Sequence, residues 1–167
     1  MSGAVAIGSG KAGVDRTWLA ASLAHALARR GRRVLPFDGD LRLAKVDVQL
    51  GLGLGPDLAS VMITDAPTAI TDAYALIKVC RAEAAGLAPQ LVVNQVASHG
   101  IGWRTYAGVA RVCARFLGVR PELAGTVRHD PRVAEAIRQQ VPFLVRSRTS
   151  PAAPDVDALA RHPAIVG

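Results

Sequence analysis

Ala4 to Ile7 is a short apolar run that breaks at once into Gly8-Ser9-Gly10, and a helical pattern takes over from Thr17. A buried parallel strand running into a glycine-bearing loop reads this way. In the helical stretch Leu19, Leu23, Ala26 and Leu27 share one face, arginines gather at the end, and Gly31 stands where a C-cap glycine belongs. Strand, glycine loop and helix in that order commit the chain to an α/β layout. They also aim the N–H groups of a helix N-terminus at one point, which suits an anion.

The rest of the sequence keeps the alternation. Arg33 to Phe37 is a second apolar run, ending in Asp38-Gly39-Asp40, with Pro36 suggesting an edge or a distortion. Residues 41–60, with Gly51, Gly53, Gly55 and Pro56, read as loop, and Val61 to Thr64 as a stub of strand. A helix opens at Asp65-Ala66-Pro67, buries Ile70, Tyr74 and Ile77, and ends at Gly86. Gln90 to Val96 is a strand, Ser98-His99-Gly100 a loop, Trp103 to Leu117 a helix, and Leu123 to Val127 the last strand. Pro131 starts a helix that Pro142 stops, and a short one runs from Pro151 to Ala160. Such alternation predicts one domain over 1–167: a mostly parallel sheet with helices on both faces.

Hydrophobic residues make up 50% of the 167, and aromatics only 4%, so the interior is expected to be small and branched. The formal charge of +7 rests on arginine, since Lys11, Lys45 and Lys78 are the only lysines. Nucleic acid, nucleotide phosphates and acidic membranes all fit that sign, and a solvated cationic surface fits it more plainly. Cys80 and Cys113 lack the spacing of a disulfide framework or zinc site and read as reduced core residues. His25, His99, His129 and His162 are scattered, so no metal or catalytic role is assigned to them. The first residues lack a signal-peptide pattern and no apolar run reaches spanning length, which predicts a cytoplasmic protein.

The phosphate-loop pattern G-x-x-x-x-G-K-[ST] falls on Gly10 to Thr17, with Asp15 and Arg16 standing for glycine and lysine. Gly10-Lys11-Ala12-Gly13-Val14-Asp15-Arg16-Thr17 resembles the deviant Walker A loop of the MinD/ParA family of P-loop ATPases, Lys11 matching its signature lysine. Phe37-Asp38-Gly39-Asp40-Leu41 with Ala44, Val46-Asp47 and Gly51 is similar to the switch I stretch of that family. The stretch 67–78, Val92-Val93-Asn94-Gln95 and the stretch 127–133 resemble flagellar-number regulators of the FlhG/FleN type, and the blocks cover nearly the whole chain in order.

That resemblance implies ATP or ADP with Mg2+, a homodimer, and flagellar assembly proteins as partners. Lys11 would reach a partner's phosphates, and Gly10, Gly13, Val14, Arg16 and Thr17 would surround the chain's own. Thr17 and Asp38 would hold magnesium, Asp40 would orient the attacking water, and Asn94, Arg128 and Asp130 would serve the nucleotide site.

Two departures bear on activity. Asp15 sets a carboxylate where glycine would let the backbone wrap the β-phosphate, and two like charges about 4 Å apart cost about 4 kcal/mol at an effective dielectric near 20. Arg16 replaces the compact charge of lysine with a planar fork. The block with the Asp-ending strand and switch II is also missing between about Leu58 and Met62, which should leave a gap or new sheet edges. No match to a C-terminal amphipathic membrane helix is seen, because residues 155–167 are short, alanine-rich and broken by Pro163. The expectation is a weak nucleotide binder acting through protein contacts. The alternatives are a working ATPase in which Arg16 and Lys11 cover the phosphate charge, and a sequence-indifferent DNA binder using Arg29, Arg30, Arg32 and Arg33.

Overall fold

The computed structural model describes residues 7–8, 15–34, 60–64, 68–83 and 90–166. The expected elements at 4–6, 35–37 and 65–67, the ends of the strand at 33–37 and of the helix at Gly86, and the loop of 41–59 lie outside them. Among the described residues four strands form one sheet in the order β1-β2-β3-β4: β1 (Ile7–Gly8), β2 (Ser60–Thr64), β3 (Gln90–Val96) and β4 (Leu123–Arg128), each of these pairings parallel. The helices are α1 (Arg16–Arg29), α2 (Ala69–Glu83), α3 (His99–Leu117), α4 (Pro131–Arg138), α5 (Phe143–Arg146), α6 (Ala152–Leu159) and α7 (Pro163–Val166).

The sheet divides the core in two. Against one face lie Trp18, Leu19, Leu23, Ala26 and Leu27 of α1 with Phe143, Leu144, Val156 and Leu159, meeting Val92 and Val127. Against the other, Ala73 and Ile77 of α2 and Tyr106, Val109, Ala110 and Cys113 of α3 meet Leu91, Val93 and Val96. Strict alternation would send Val96 to the first face, with Val92. It does not, because the β3–β4 register breaks between Val93 and Val96 and Gln95 takes a left-handed φ of 59°. The irregularity turns the end of β3 over.

α3 begins four residues before the expected Trp103. Ser98 is its N-cap, accepting from the Ile101 N–H at 3.3 Å, so the predicted loop at Ser98-His99-Gly100 is mostly first turn. Glycines at 100 and 102 argue against helix by propensity, but Gly102 answers to packing. A Cβ there would stand 2.6 Å from Thr126 Cγ2, so the bare backbone lets α3 dock on the strand ends. At the other end Gly118 closes α3 in the left-handed conformation, φ 67°. The expected burial of Cys113 holds. No helix among the described residues is long and apolar enough to cross a membrane, and Ile165 of α7 is packed into the core.

Candidate functional site at the carboxyl edge of the sheet

In a parallel sheet the strands end together, and ligands bind in the crevice beyond those ends. Here that edge collects the start of α1, the ends of β3 and β4, and the start of α3. Of the residues expected to form a nucleotide site, Gly10, Lys11, Gly13, Val14, Asp38 and Asp40 lie outside the described residues. Arg16, Thr17, Asn94, Arg128 and Asp130 lie within them, and all stand at this edge.

Asp15 is the N-cap of α1 at φ 56°, ψ 38°, and its carbonyl accepts from Leu19 N–H at 3.0 Å. Left-handed backbone is disfavoured for residues with a Cβ, and Asp tolerates it better than most. The side chain does not cap the helix. Its carboxylate accepts instead from the Gln95 side-chain amide, across from the end of β3. Two residues in left-handed backbone are thus joined at the point where strand and helix meet, the kind of local strain that gathers at functional edges. Sequence reading finds Asp15 and passes over Gln95, whose signal was only its place after Asn94 at a strand terminus.

Arg16 is half-buried and Thr17 exposed. Both help line a cavity of about 690 Å³ that runs along α1 towards α4 and α5, past Trp18, Ile137, Val141 and Phe143. The Trp18 and Phe143 rings meet edge to face with centroids 5.3 Å apart, fixing its inner end.

Asn94 is 1% exposed and paired to Thr64 of β2 in the sheet register. Arg128 has internal partners. Its Nε donates to Asp155 Oδ2 at 2.9 Å, and its Nη2 donates to Asp155 Oδ1 at 3.0 Å and to the Pro151 carbonyl at 2.8 Å. The bond to Asp155 raises the Arg128 guanidinium above its ordinary value. Asp155 also faces His99, whose Nε2 is 3.4 Å from Oδ1 and whose Nδ1 is 2.6 Å from Thr126 Oγ1. Asp155 thereby ties β4, α3 and α6 together. No pattern in the sequence announced it, because its partners are 27 and 56 residues away.

Asp130 is 5% exposed and caps α4, accepting from Arg132 N–H at 3.0 Å and from Ala152 N–H at 3.5 Å. Burial pushes its carboxyl up, but the Ser150 hydroxyl, these two N–H groups and the Arg132 charge outweigh that and hold it below the usual range. Among the described residues no three His, Cys, Asp or Glu side chains are grouped to hold a metal ion.

What the edge can do is offer helix N–H groups and a cation to an anion, beside the Asp15 carboxylate. Known proteins agree on the class. The chain is 26% identical to the antiactivator FleN of Pseudomonas aeruginosa over a 215-position alignment, longer than the chain itself, covering 81% of this chain and 77% of FleN. It superposes on the septum site-determining protein MinD from Pyrococcus horikoshii, solved with Mg-ADP, with TM-score 0.70 and 16% identity over 96% of this chain and 95% of that one. The MinC:MinD cell division complex of Aquifex aeolicus gives TM-score 0.64 and 14% identity over 96% and 94%. The fold is therefore that of MinD-like P-loop NTPases, and with residues 5–143 matching the CobQ/CobB/MinD/ParA nucleotide binding domain, the chain belongs to that family.

Proposed function

We propose that this protein is a nucleotide-binding domain of the flagellar-number and site-determining type whose phosphate site is weakened, so that it holds Mg-ATP poorly and acts through contacts with other proteins. The observation that supports this is Asp15: a carboxylate at the N-terminus of α1, positioned by Gln95, in the sector where the backbone would meet the phosphates. The bare repulsion of about 4 kcal/mol at 4 Å, about half of which survives water screening of a half-buried carboxylate, corresponds to about 30-fold in affinity.

The proposed roles follow the family pattern. Gly10, Gly13, Val14, Arg16 and Thr17 surround the phosphates, Thr17 and Asp38 hold Mg2+, Lys11 and Asp40 serve hydrolysis, and Asn94, Arg128 and Asp130 flank the nucleotide. The described residues fit that group poorly. The Asp15 carboxylate stands at the N-terminus of α1 and is held by Gln95, the Arg128 guanidinium is bonded to Asp155, and both Asp130 oxygens accept from backbone N–H groups. Two solved structures of similar fold, MinD with Mg-ADP and the MinC:MinD complex, favour a nucleotide and a protein partner as the classes to test first.

We also propose that the chain lacks part of the central region of its relatives, between about Leu58 and Met62. One fact supports this: the FleN alignment spans 215 positions, more than the 167 residues of the chain.

The test is the thermal midpoint with and without 1 mM Mg-ATP. A ligand at 100 times its dissociation constant adds about 2.7 kcal/mol, which for a chain of this size raises the midpoint by roughly 5–10 °C. The weakened site predicts a rise below about 1 °C; a rise of 5 °C or more would defeat it. One observation favours the alternative of a working ATPase: residue 15 keeps the left-handed turn that a glycine would supply there. That reading predicts Mg-ATP turnover lost in Lys11→Ala, and it ends if the unmodified chain shows none.

A further inference from the structure

We propose that the face formed by the C-terminal halves of α2 and α3 is a docking surface for an acidic, apolar-bearing segment of a partner protein. The inference rests on the reading that this chain works through protein contacts, and it names the surface.

α2 and α3 pack together where Gly108 lets Ile70 approach; a Cβ at 108 would stand 3.1 Å from Ile70 Cδ1. Further along, Tyr74 and Phe116 meet edge to face with centroids 6.4 Å apart. Phe116 is nevertheless 64% exposed, although it sits on the helix that carries the buried Val109 and Cys113. The Arg115 guanidinium lies over its ring at 5.4 Å. Around this aromatic pair stand exposed cations. Lys78 and Arg81 follow Tyr74 by one and two turns on α2, Arg111 precedes Arg115 by one turn on α3, and Arg120 follows in the loop. Among the described residues none of these five has an ion-pair partner, and the exposed acid nearby, Glu122, faces Gln90 at 3.4 Å.

Cations at helix C-termini complement the helix dipole and need no partner for that reason alone. The dipole does not account for a phenylalanine left in water among them. Exposed aromatics with arginine, on rigid helices, are the residue types enriched where protein interfaces concentrate their binding energy. The charge selects the partner. A second copy would bring the same cations against these, and a phosphate backbone would neutralise the arginines while offering Phe116 no apolar surface. An acidic segment with a leucine or phenylalanine among its carboxylates matches both parts. This face is at the opposite end of the strands from the nucleotide edge.

The experiment uses the full chain and fluorescence anisotropy with a labelled 16-residue peptide of Asp, Glu, Leu and Phe in helical register. Its Gln-for-Glu, Asn-for-Asp copy, a 30-base-pair DNA duplex and phosphatidylserine vesicles are the comparisons. The acidic peptide should bind at least 10-fold more tightly than its neutral copy. Arg111→Glu with Arg115→Glu should weaken it at least 10-fold, and Phe116→Ala at least 5-fold, with circular dichroism unchanged. Equal binding of the two peptides, indifference to Phe116→Ala, or tighter binding of DNA or vesicles through the same arginines would overturn the proposal. Arg120→Glu, in a loop, supplies a second variant if the helix substitutions disturb folding. Failure here leaves the nucleotide site untouched, since that is read separately by the thermal midpoint with Mg-ATP.

Discussion

Replacing Asp15 with glycine removes the charge and the Cβ from the cradle at once. The repulsion of about 4 kcal/mol at 4 Å is an upper figure for a half-buried carboxylate partly screened by water, and about half of it survives that discount. Two kcal/mol is about a 30-fold gain in affinity. Stability should hardly move. Glycine relieves a left-handed backbone at φ 56°, worth up to about 1–2 kcal/mol, and loses the bond from Gln95, worth about 1 kcal/mol. Asp15→Asn separates charge from shape, because asparagine tolerates the same backbone and keeps the side chain's bulk. Isothermal titration with Mg-ADP should rank Asp15→Gly tightest, Asp15→Asn next and the unmodified chain weakest, with at least a 10-fold step from the last. If both variants bind as the unmodified chain does, the electrostatic argument is wrong.

Further predictions concern the frame around the site. Gly102→Ala forces a Cβ to within 2.6 Å of Thr126 Cγ2, a β-branched side chain with little freedom, and should cost about 1–3 kcal/mol, read as a lower midpoint in urea. Asp130 has a folded-state carboxyl held below its ordinary value, so the unfolded chain takes up the proton first. Its contribution is full above the unfolded value and is lost as pH falls through the folded one. Stability should therefore fall below about pH 4–5, and Asp130→Asn should flatten that acid limb in unfolding followed from pH 7 to pH 2. Asp130→Ala should also cost about 1 kcal/mol at neutral pH through loss of the α4 cap.

Much of the frame was legible because it depends on local pattern. The strand at Gln90–Val96 matches its expected bounds, being an apolar run buried on both faces, and α1 lies within one residue of its predicted start, fixed by a 3.6-residue periodicity. The start of α3 was not, because Ser98-His99-Gly100 read as loop, and only tertiary contact with Thr126 shows why Gly102 stands in the first turn. At the site, sequence places Asp15 at the mouth of the loop. The hand that holds it, Gln95, requires a left-handed glutamine that no propensity forecasts. His99 had no visible partner in the sequence; folding supplies Thr126 and Asp155 from distant elements. Pairings of this kind are set by where helices land on a sheet, and a single sequence does not carry that.

We propose that the Asp15 carboxylate at the first turn of α1 keeps nucleotide from settling there. Calorimetric titration of Mg-ATP into the unmodified chain should then show no saturable heat below millimolar ligand; a dissociation constant in the micromolar range or tighter would end that reading.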